Sequence, residues 1–150
     1  MIFLGADHGG FELKDKIKQH LDKLGVPYED LGAYSSEPVD YPDYAFAVAD
    51  RVVAQGGQAR GILACTTSVG VCMAANKVRG IRAAVGYGEA AVSRARNDED
   101  ANVICLAGQD ADFDEALRMI DLFLGTPFSN AERHVRRLGK ISERERRRVA

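Results

Sequence analysis

Residues 61–70 read Gly-Ile-Leu-Ala-Cys-Thr-Thr-Ser-Val-Gly, and this stretch indicates the fold of the 150-residue chain. The run Gly61–Cys65 is apolar throughout, which is typical of a strand buried on both faces of a parallel sheet. After Cys65 the composition changes within one residue to three hydroxyl side chains, and a stretch suited to a helix follows. We therefore expect a β-strand that ends at Cys65, a short loop and the start of a helix.

The same succession of a short apolar run and an amphipathic stretch extends in both directions along the chain. Four more strand-like runs occur, at Ile2–Ala6, Val26–Leu31, Ile81–Val85 and Asn102–Ala107. Stretches with apolar residues at helical spacing separate them. Five such units predict an α/β fold, a Rossmann-like three-layer sandwich with a five-stranded parallel sheet and helices on both faces.

The expected topology also places the ligand site. We expect residues 1–150 to form a single domain with the flavodoxin-like strand order 2-1-3-4-5, and residues 129–150 to form a C-terminal helical extension that docks on a partner subunit. In that order the chain reverses direction between strands 1 and 3, and ligands bind outside the carboxyl ends of the strands at such a point. The loops after strands 1 and 3 are therefore the candidates for a site.

The loop after strand 1 carries Asp7-His8-Gly9-Gly10. In one interpretation Asp7 caps the following helix and His8 is a solvated loop residue. In the other, both side chains face a ligand, and His8 binds an anion near the helix N-terminus. The position of the pair at the expected switch point favours the second interpretation.

The loop after strand 3 begins with Cys65 at a strand end, before a helix. Backbone N–H groups and the helix dipole favour a thiolate there, which can act as a base or a nucleophile, and nearby hydroxyl groups can stabilise an oxyanion. The alternative is that Cys65 is a small buried apolar residue, an interpretation that fits Cys72 and Cys105 well. Three cysteines in no framework spacing argue against a disulfide scaffold, and the absence of paired ligand spacings argues against a zinc site.

The charge distribution limits the classes of partner. The net charge is −2, yet residues 129–150 contain eight basic and three acidic residues, which suggests anion binding or self-association. An acidic body with 7% aromatic residues and no nucleic-acid motif argues against a nucleic-acid-binding protein. The apolar runs are too short for a bilayer and the N-terminus lacks a signal-peptide pattern, so we expect a cytoplasmic protein. A cysteine phosphatase would need an arginine at the end of the loop after Cys65, where the chain has Gly70 and Val71.

Several segments occur together in an order that resembles a known family. They are Gly5–Phe11, Asp40-Tyr41-Pro42, Cys65–Gly70 with Ala74–Lys77, Gly80–Ala84, Asn102–Ile104, and Arg133-His134 with Arg137. Together they resemble the type B ribose-5-phosphate isomerases and their galactose-6-phosphate isomerase relatives over nearly the whole chain. The resemblance implies aldose–ketose isomerisation of a small phosphorylated sugar through an enediol, with no metal and no cofactor. It also implies a homodimer with the site at its interface, and leaves open the pairing of dimers into a tetramer.

The resemblance implies roles for individual residues. Cys65 is implied as the base that moves the proton between C1 and C2, and Thr67 with the loop amides as the groups that stabilise the enediolate. Asp7 is implied to bind sugar hydroxyls. The implied phosphate ligands are His8, Arg133 and Arg137. The remaining implied substrate contacts are Tyr41, Thr66, Ser68, Val69, Gly70, Glu99, Gln109 and His134.

The expected pocket departs from the family pattern at several positions. Thr66 and Ser68 stand where the family loop usually has glycine, so a positive φ there would cost energy. Asp98 stands where many members carry a histidine credited with opening the sugar ring. A carboxyl group is poorly matched to donating a proton at neutral pH, so either the pKa of Asp98 is raised or another group such as His134 takes over. The other departures are Glu99, often Asn in the family, and Gln109, often Arg.

Ribose 5-phosphate is the substrate that the resemblance favours. The departures leave open another aldose phosphate, either a tetrose or a hexose phosphate. They also leave open a non-catalytic sugar-phosphate-binding protein on the same fold, because a fold alone does not determine function.

Overall fold

Five parallel strands covered by helices on both faces confirm the α/β three-layer sandwich expected from the sequence. The computed structural model describes residues 1–147, so Arg148 of the basic tail lies outside the described residues. The strands are β1 (Ile2–Ala6), β2 (Tyr28–Asp30), β3 (Arg60–Cys65), β4 (Ala83–Val85) and β5 (Val103–Ala107). The helices are α1 (Phe11–Leu24), α2 (Tyr41–Gln55), α3 (Val69–Ala75), α4 (Glu89–Asn97), α5 (Phe113–Gly125) and α6 (Glu132–Arg147).

Two cores form because successive side chains of a strand point to opposite faces of the sheet. On one face, Ile2 and Leu4 pack with the apolar residues of α1, α4 and α5. On the other face, Phe3 and Leu63 pack with those of α2 and α3. Every residue of β1 is buried, as expected for a strand inside a parallel sheet that is covered on both sides.

The strand order is 2-1-3-5-4, so the expected order 2-1-3-4-5 is wrong. β5 pairs with β3 from Gly61 opposite Val103 to Cys65 opposite Ala107, and β4 lies outside β5 at the edge. The lengths and burial of the strands explain the exchange. β5 is apolar and almost wholly buried, whereas β4 has three half-buried residues, and a short strand leaves few unpaired backbone groups at an edge. The loop after β5, not the loop after β4, therefore lies beside Cys65.

The helix α6 confirms the helical extension expected after the last α/β unit. Its apolar residues are sparse, and within residues 132–147 His134 is the one buried residue. Ile141 is 51% exposed, so residues 1–147 leave apolar surface of this helix uncovered. Among the described residues, no helix combines the length and apolar character needed to cross a membrane.

A buried lysine holds the chain after β2 against α1. Lys14 is 2% exposed, and its Nζ donates to Asp30 Oδ1 and to the carbonyl oxygen of Ala33, each at 2.6 Å. Lys18 approaches the other carboxylate oxygen at 2.8 Å, and the N–H of Gly32 donates to Oδ1 at 3.0 Å. Burial by itself would raise the pKa of Asp30, but these hydrogen bonds outweigh it and hold the pKa below its ordinary value. The network fixes a segment that is hydrogen-bonded to the end of β1.

We expect Asp30→Asn to lower the free energy of unfolding by about 3 kcal/mol at pH 7, because it leaves the buried Lys14 ammonium without its carboxylate. The pKa of Asp30 is lower in the folded protein than its ordinary value of 3.8. Its stabilising effect is therefore fully present above that value and is lost as the pH falls through the folded pKa. Urea unfolding should show a difference between wild type and variant that shrinks below pH 3.8.

The matched control is Asp50→Asn, which removes the same charge from an exposed position and should leave stability nearly unchanged. This account of the network would be contradicted if Asp30→Asn lowered the free energy of unfolding no more than the control does. A decrease that is independent of pH would contradict it as well.

Candidate active site

The loops after β1, β3 and β5 meet at the carboxyl edge of the sheet. The N–H of Gly108 donates to the carbonyl oxygen of Cys65 at 2.8 Å, and the N–H of Gln109 donates to that of Thr66 at 3.1 Å. The N–H of Asp7 donates to the carbonyl oxygen of Ala64 at 3.3 Å. These bonds continue the pairing of the strands into the loops and bring Asp7, Cys65 and Gln109 onto adjoining segments.

Glycine is required where these loops touch. A Cβ atom on Gly10 would lie 2.3 Å from the carbonyl oxygen of Ala64, and one on Gly108 would lie 2.2 Å from the carbonyl oxygen of Gly9. Both contacts involve backbone atoms, which cannot move away without separating the paired strands. The loop after β1 can therefore lie directly on the other two loops only because these residues have no side chain, a role that the sequence analysis did not assign to them.

Asp7 fixes the turn that presents His8. The buried Asp7 carboxylate accepts hydrogen bonds at Oδ1 from the N–H groups of Gly9 and Gly10, at 2.9 and 3.1 Å. The N-cap of α1 is Gly10, so Asp7 braces the preceding turn instead of serving as the cap residue. His8 is exposed, and its Nδ1 accepts a hydrogen bond from the N–H of Val39 at 3.2 Å. In the neutral ring Nε2 therefore carries the proton and can donate to an anion.

Val39 is a contributor that the sequence analysis missed. It acts through its backbone N–H, and no local pattern in the sequence indicates that the chain between β2 and α2 returns to the His8 turn.

Cys65 ends β3 with 4% of its surface exposed, and the loop after it turns sharply. Thr66, Thr67 and Val69 are exposed, whereas Ser68 is 2% exposed and has a φ of 70°. A side chain disfavours this left-handed conformation. The strain expected from the replacement of loop glycines is therefore present at Ser68, while Thr66 has an ordinary φ.

Tyr41 covers the first turn of α3. It is the first residue of α2, and a Cβ atom on Gly70 would lie 2.9 Å from two carbon atoms of its ring. The tyrosine therefore lies next to the Cys65 loop. We call the following residues the carboxyl-edge cluster: Asp7, His8, Tyr41, Cys65, Thr66, Thr67, Ser68, Val69, Gly70 and Gln109.

The other expected site residues lie where α4 ends and α6 begins. The N–H of Ser129 donates to the carbonyl oxygen of Asn97 at 3.0 Å, which joins these two regions. His134 is 6% exposed, and its Nε2 lies 3.5 Å from Asp98 Oδ1. Its Nδ1 is buried and has no hydrogen-bond partner within residues 1–147. Glu99, Arg133 and Arg137 are exposed. We call Asp98, Glu99, Arg133, His134 and Arg137 the helix-end cluster.

The two clusters lie at opposite ends of the strands. The carboxyl-edge cluster lies where the strands end, and the helix-end cluster lies where they begin. A crossover helix runs antiparallel to the strands, so α4 starts at the carboxyl edge, and Asp98 follows its last residue at the amino edge. In the pairing of β3 with β5, Gly61 is opposite Val103 and Cys65 is opposite Ala107, which puts Cys65 about 13 Å beyond the start of β5. A single chain therefore does not bring Asp98 to Cys65.

Cys72 and Cys105 belong to the apolar core between the sheet and α3, as expected from the sequence. A hydrogen bond with Cys105 lowers the pKa of the Cys72 thiol, and the same bond, together with burial, raises the pKa of Cys105 well above its ordinary value. Cys72 also donates from Sγ to the carbonyl oxygen of Ala83 at 3.4 Å.

In the part of the chain that the structure describes, no three His, Cys, Asp or Glu side chains form a set that could hold a metal ion.

A thiol, a buried carboxylate and an imidazole on adjoining loops at the switch point of a parallel sheet define a Rossmann-like enzyme for a small polar ligand. Comparison with known proteins identifies the family. Residues 2–141 match the model of the Ribose/Galactose Isomerase family. The chain belongs to this family, and it is an aldose–ketose isomerase.

Relatives align with the chain over nearly its whole length, and two of them are solved structures that superimpose on it. Ribose-5-phosphate isomerase B of Clostridium thermocellum is 40% identical to this chain. The superposition covers 97% of each of the two chains with a TM-score of 0.93. Ribose-5-phosphate isomerase B of Mycoplasma genitalium, solved with bound ribulose 5-phosphate, is 42% identical, covers 97% of this chain and 95% of its own, and has a TM-score of 0.92. Ribose-5-phosphate isomerase B of Mycobacterium tuberculosis is 40% identical over 97% of this chain and 90% of its own.

We expect Ser68→Gly to raise the free energy of unfolding by about 1 kcal/mol, because glycine adopts the left-handed conformation without a Cβ penalty. Thr66→Gly is the matched control. It makes the same type of change at an ordinary φ, and it should lower stability by about 0.5–1 kcal/mol because glycine loses more backbone freedom on folding. Urea unfolding of both variants at one protein concentration measures the difference. Two changes of the same sign and size would show that backbone strain at Ser68 is not the cause.

Proposed function

We propose that this isomerase interconverts ribose 5-phosphate and ribulose 5-phosphate with Cys65 as the base. The observation that carries the proposal is the carboxyl-edge cluster, which holds Cys65 and Thr67 on a loop adjoining the turn of Asp7 and His8. The relatives support the choice of sugar, since the three described above are ribose-5-phosphate isomerases B and one was solved with ribulose 5-phosphate.

The proposed chemistry begins on the open-chain aldose. The Cys65 thiolate removes the proton from C2, a double bond forms between C1 and C2, and the electrons of the carbonyl bond move to O1. A proton then passes from O2 to O1, the carbonyl bond forms at C2, and the thiol returns its proton to C1. The hydroxyl of Thr67 and the N–H groups of the loop after Cys65 are the donors that we assign to the enediolate oxygen.

The proposed substrate requires residues from both clusters, and we infer that two copies of the chain supply them. His8 of one copy would bind the phosphate together with Arg133 and Arg137 of the other copy. These two arginines are exposed and four residues apart on one face of α6, so both can donate to a single dianion. Because the clusters lie at opposite edges of one chain, a symmetric dimer would contain two such sites.

The surface of the chain supports this pairing. A groove of about 510 Å³ lies between α6 and the segment before β4, lined by Ile81, Ile141 and the charged residues of the last turns of α6. The exposed face of α3 carries Val69 and Met73, the latter 62% exposed, directly after the Cys65 loop. Docking of this face into the groove of a second copy would bury apolar surface on both sides and bring Cys65 towards the helix-end cluster.

Asp98 and His134 are the pair that we assign to opening the sugar ring. Ring opening needs a base for the anomeric hydroxyl and a donor for the ring oxygen. The Asp98 carboxylate is partly exposed and can reach a substrate, while the buried His134 lies behind it with Nε2 at 3.5 Å. At this distance His134 can pass a proton to or from the Asp98 carboxylate, so we assign the acid and base roles to the two groups together.

The identity of the base and of the sugar can be tested together. We expect Cys65→Ala to lower kcat for ribose 5-phosphate at least about a hundredfold, the contribution typical of a positioned base, with an unchanged circular dichroism spectrum. Cys72→Ala, which removes a thiol outside the carboxyl-edge cluster, is the control and should retain activity. Ketose formation should be followed with aldose phosphates of four, five and six carbons and with unphosphorylated ribose.

Wild-type turnover in Cys65→Ala would reject the proposed base. A higher kcat/KM for a tetrose or hexose phosphate would reject ribose 5-phosphate as the substrate, and equal use of unphosphorylated ribose would reject the phosphate contacts.

The shared site predicts complementation between inactive variants. Cys65→Ala and Arg137→Ala should each lose activity, but co-expression in equal amounts should restore about a quarter of the wild-type level, because half of the dimers are mixed and each mixed dimer holds one intact site. A mixture of Cys65→Ala and Thr67→Ala is the control. Both of its substitutions lie in the carboxyl-edge cluster, so no dimer can contain an intact site. If the mixture of Cys65→Ala and Arg137→Ala is no more active than the summed activities of the two variants measured separately, each site lies within one chain.

A further inference from the structure

A second polar cleft lies at the amino edge of the sheet, between the end of α2 and the starts of β3 and β5. Its volume is about 370 Å³, and its lining includes Arg60, Arg82, Asp100, Asn102, Val52 and Val53. We propose that this cleft binds a small phosphate-bearing molecule. The proposal is independent of the isomerase site, because no residue that lines the cleft belongs to the carboxyl-edge cluster or to the helix-end cluster.

Arg60 is the residue of the cleft that most favours the binding of an anion. Its Nη1 donates to the carbonyl oxygens of Gly57 and Ala59, at 3.3 and 3.0 Å. Within residues 1–147, Nε and Nη2 have no protein partner and no carboxylate forms an ion pair with the guanidinium. Burial lowers the pKa of Arg60 and two neighbouring arginines lower it further, with Asp100 opposing them. The protein therefore leaves this half-buried positive charge incompletely neutralised.

The carboxylates near the cleft are already engaged. Asp100 accepts hydrogen bonds from Arg82 Nη2 at Oδ2 and from Arg96 Nη1 at Oδ1, each at 2.9 Å. Glu145 Oε2 accepts a hydrogen bond at 3.3 Å from the N–H of Gly80, a residue that lines the cleft. Neither carboxylate bonds to Arg60, so an anion from solution would not have to displace a protein partner to reach its guanidinium.

The free donors of the cleft favour phosphate over a carboxylate, because they come from two arginines and a phosphate offers more acceptor oxygens. Arg82 uses Nε and Nη2 on the carbonyl and carboxylate oxygens of Asp100, which leaves Nη1 to donate. Arg60 and Arg82 belong to different segments that both line the cleft, and the several oxygens of a phosphate dianion can accept from both guanidinium groups. Val52 and Val53 form an apolar wall that suits the short carbon skeleton of a phosphate ester.

The test is a titration of the isotope-labelled protein with inorganic phosphate, followed by the amide resonances of residues 56–60 and 80–82. It should be made in the Arg137→Ala variant, so that phosphate binding at the proposed isomerase site is weakened. We expect saturable shifts at these amides, and at least about tenfold weaker binding after Arg60→Gln, the scale expected for loss of a charged hydrogen bond. Arg79→Gln removes the same charge from an exposed neighbouring position and should leave the affinity unchanged.

Arg60→Lys provides a second variant in case Arg60→Gln perturbs the fold, and it should bind with intermediate affinity because it keeps the charge and loses the guanidinium fork. No saturable shift at these amides, equal affinity of Arg60→Gln and Arg79→Gln, or succinate binding as tight as phosphate would each overturn the proposal. Turnover of ribose 5-phosphate by Arg60→Gln should match wild type, so a failure here is distinguishable from a failure of the proposed function.

Discussion

The pairing of β3 with β1 on one side and with β5 on the other is the constraint on which the rest of the molecule depends. β3 is central in the sheet and its last five residues are buried, so Cys65 has a fixed position at its end. The backbone contacts at Gly10 and Gly108 then lock the neighbouring loops over that position. Because these contacts join backbone to backbone, side-chain repacking cannot compensate for a larger residue, and the carboxyl-edge cluster depends on both glycines.

The strands, the helices and the two loops that carry Asp7, His8 and Cys65 could be predicted from the sequence, because each of them follows from a local pattern of residues. Apolar runs such as Ile2–Ala6 predict buried strands, and the abrupt change of composition after Cys65 indicates a loop with chemical character. The strand order could not be read in this way. Whether β4 or β5 lies beside β3 depends on their relative length and burial in the finished sheet, which the local patterns of Ile81–Val85 and Asn102–Ala107 do not show.

Contacts between distant segments account for most of what the sequence did not show. Asp98 and His134 are 36 positions apart and meet only because α6 begins beside the end of α4. The burial of Lys14 is equally hidden, since a lysine in an amphipathic helix ordinarily faces solvent. The division of the expected residues between two edges of the sheet is a further property of topology. No spacing along the chain reveals that Asp98 and Cys65 lie near opposite ends of the strands.

The exchanged strand order also has a consequence for the synthesis of the chain. A ribosome delivers β1, β2, β3 and β4 before β5, so the outer edge of β3 has no partner until residues 103–107 have emerged. During that interval the nascent chain exposes an apolar strand with unpaired backbone groups, and β4 has no neighbour against which to align. Such an edge is a site for association with other chains. Completion of the fold therefore waits on the last strand to be translated, and the interval before it is when the chain most needs protection.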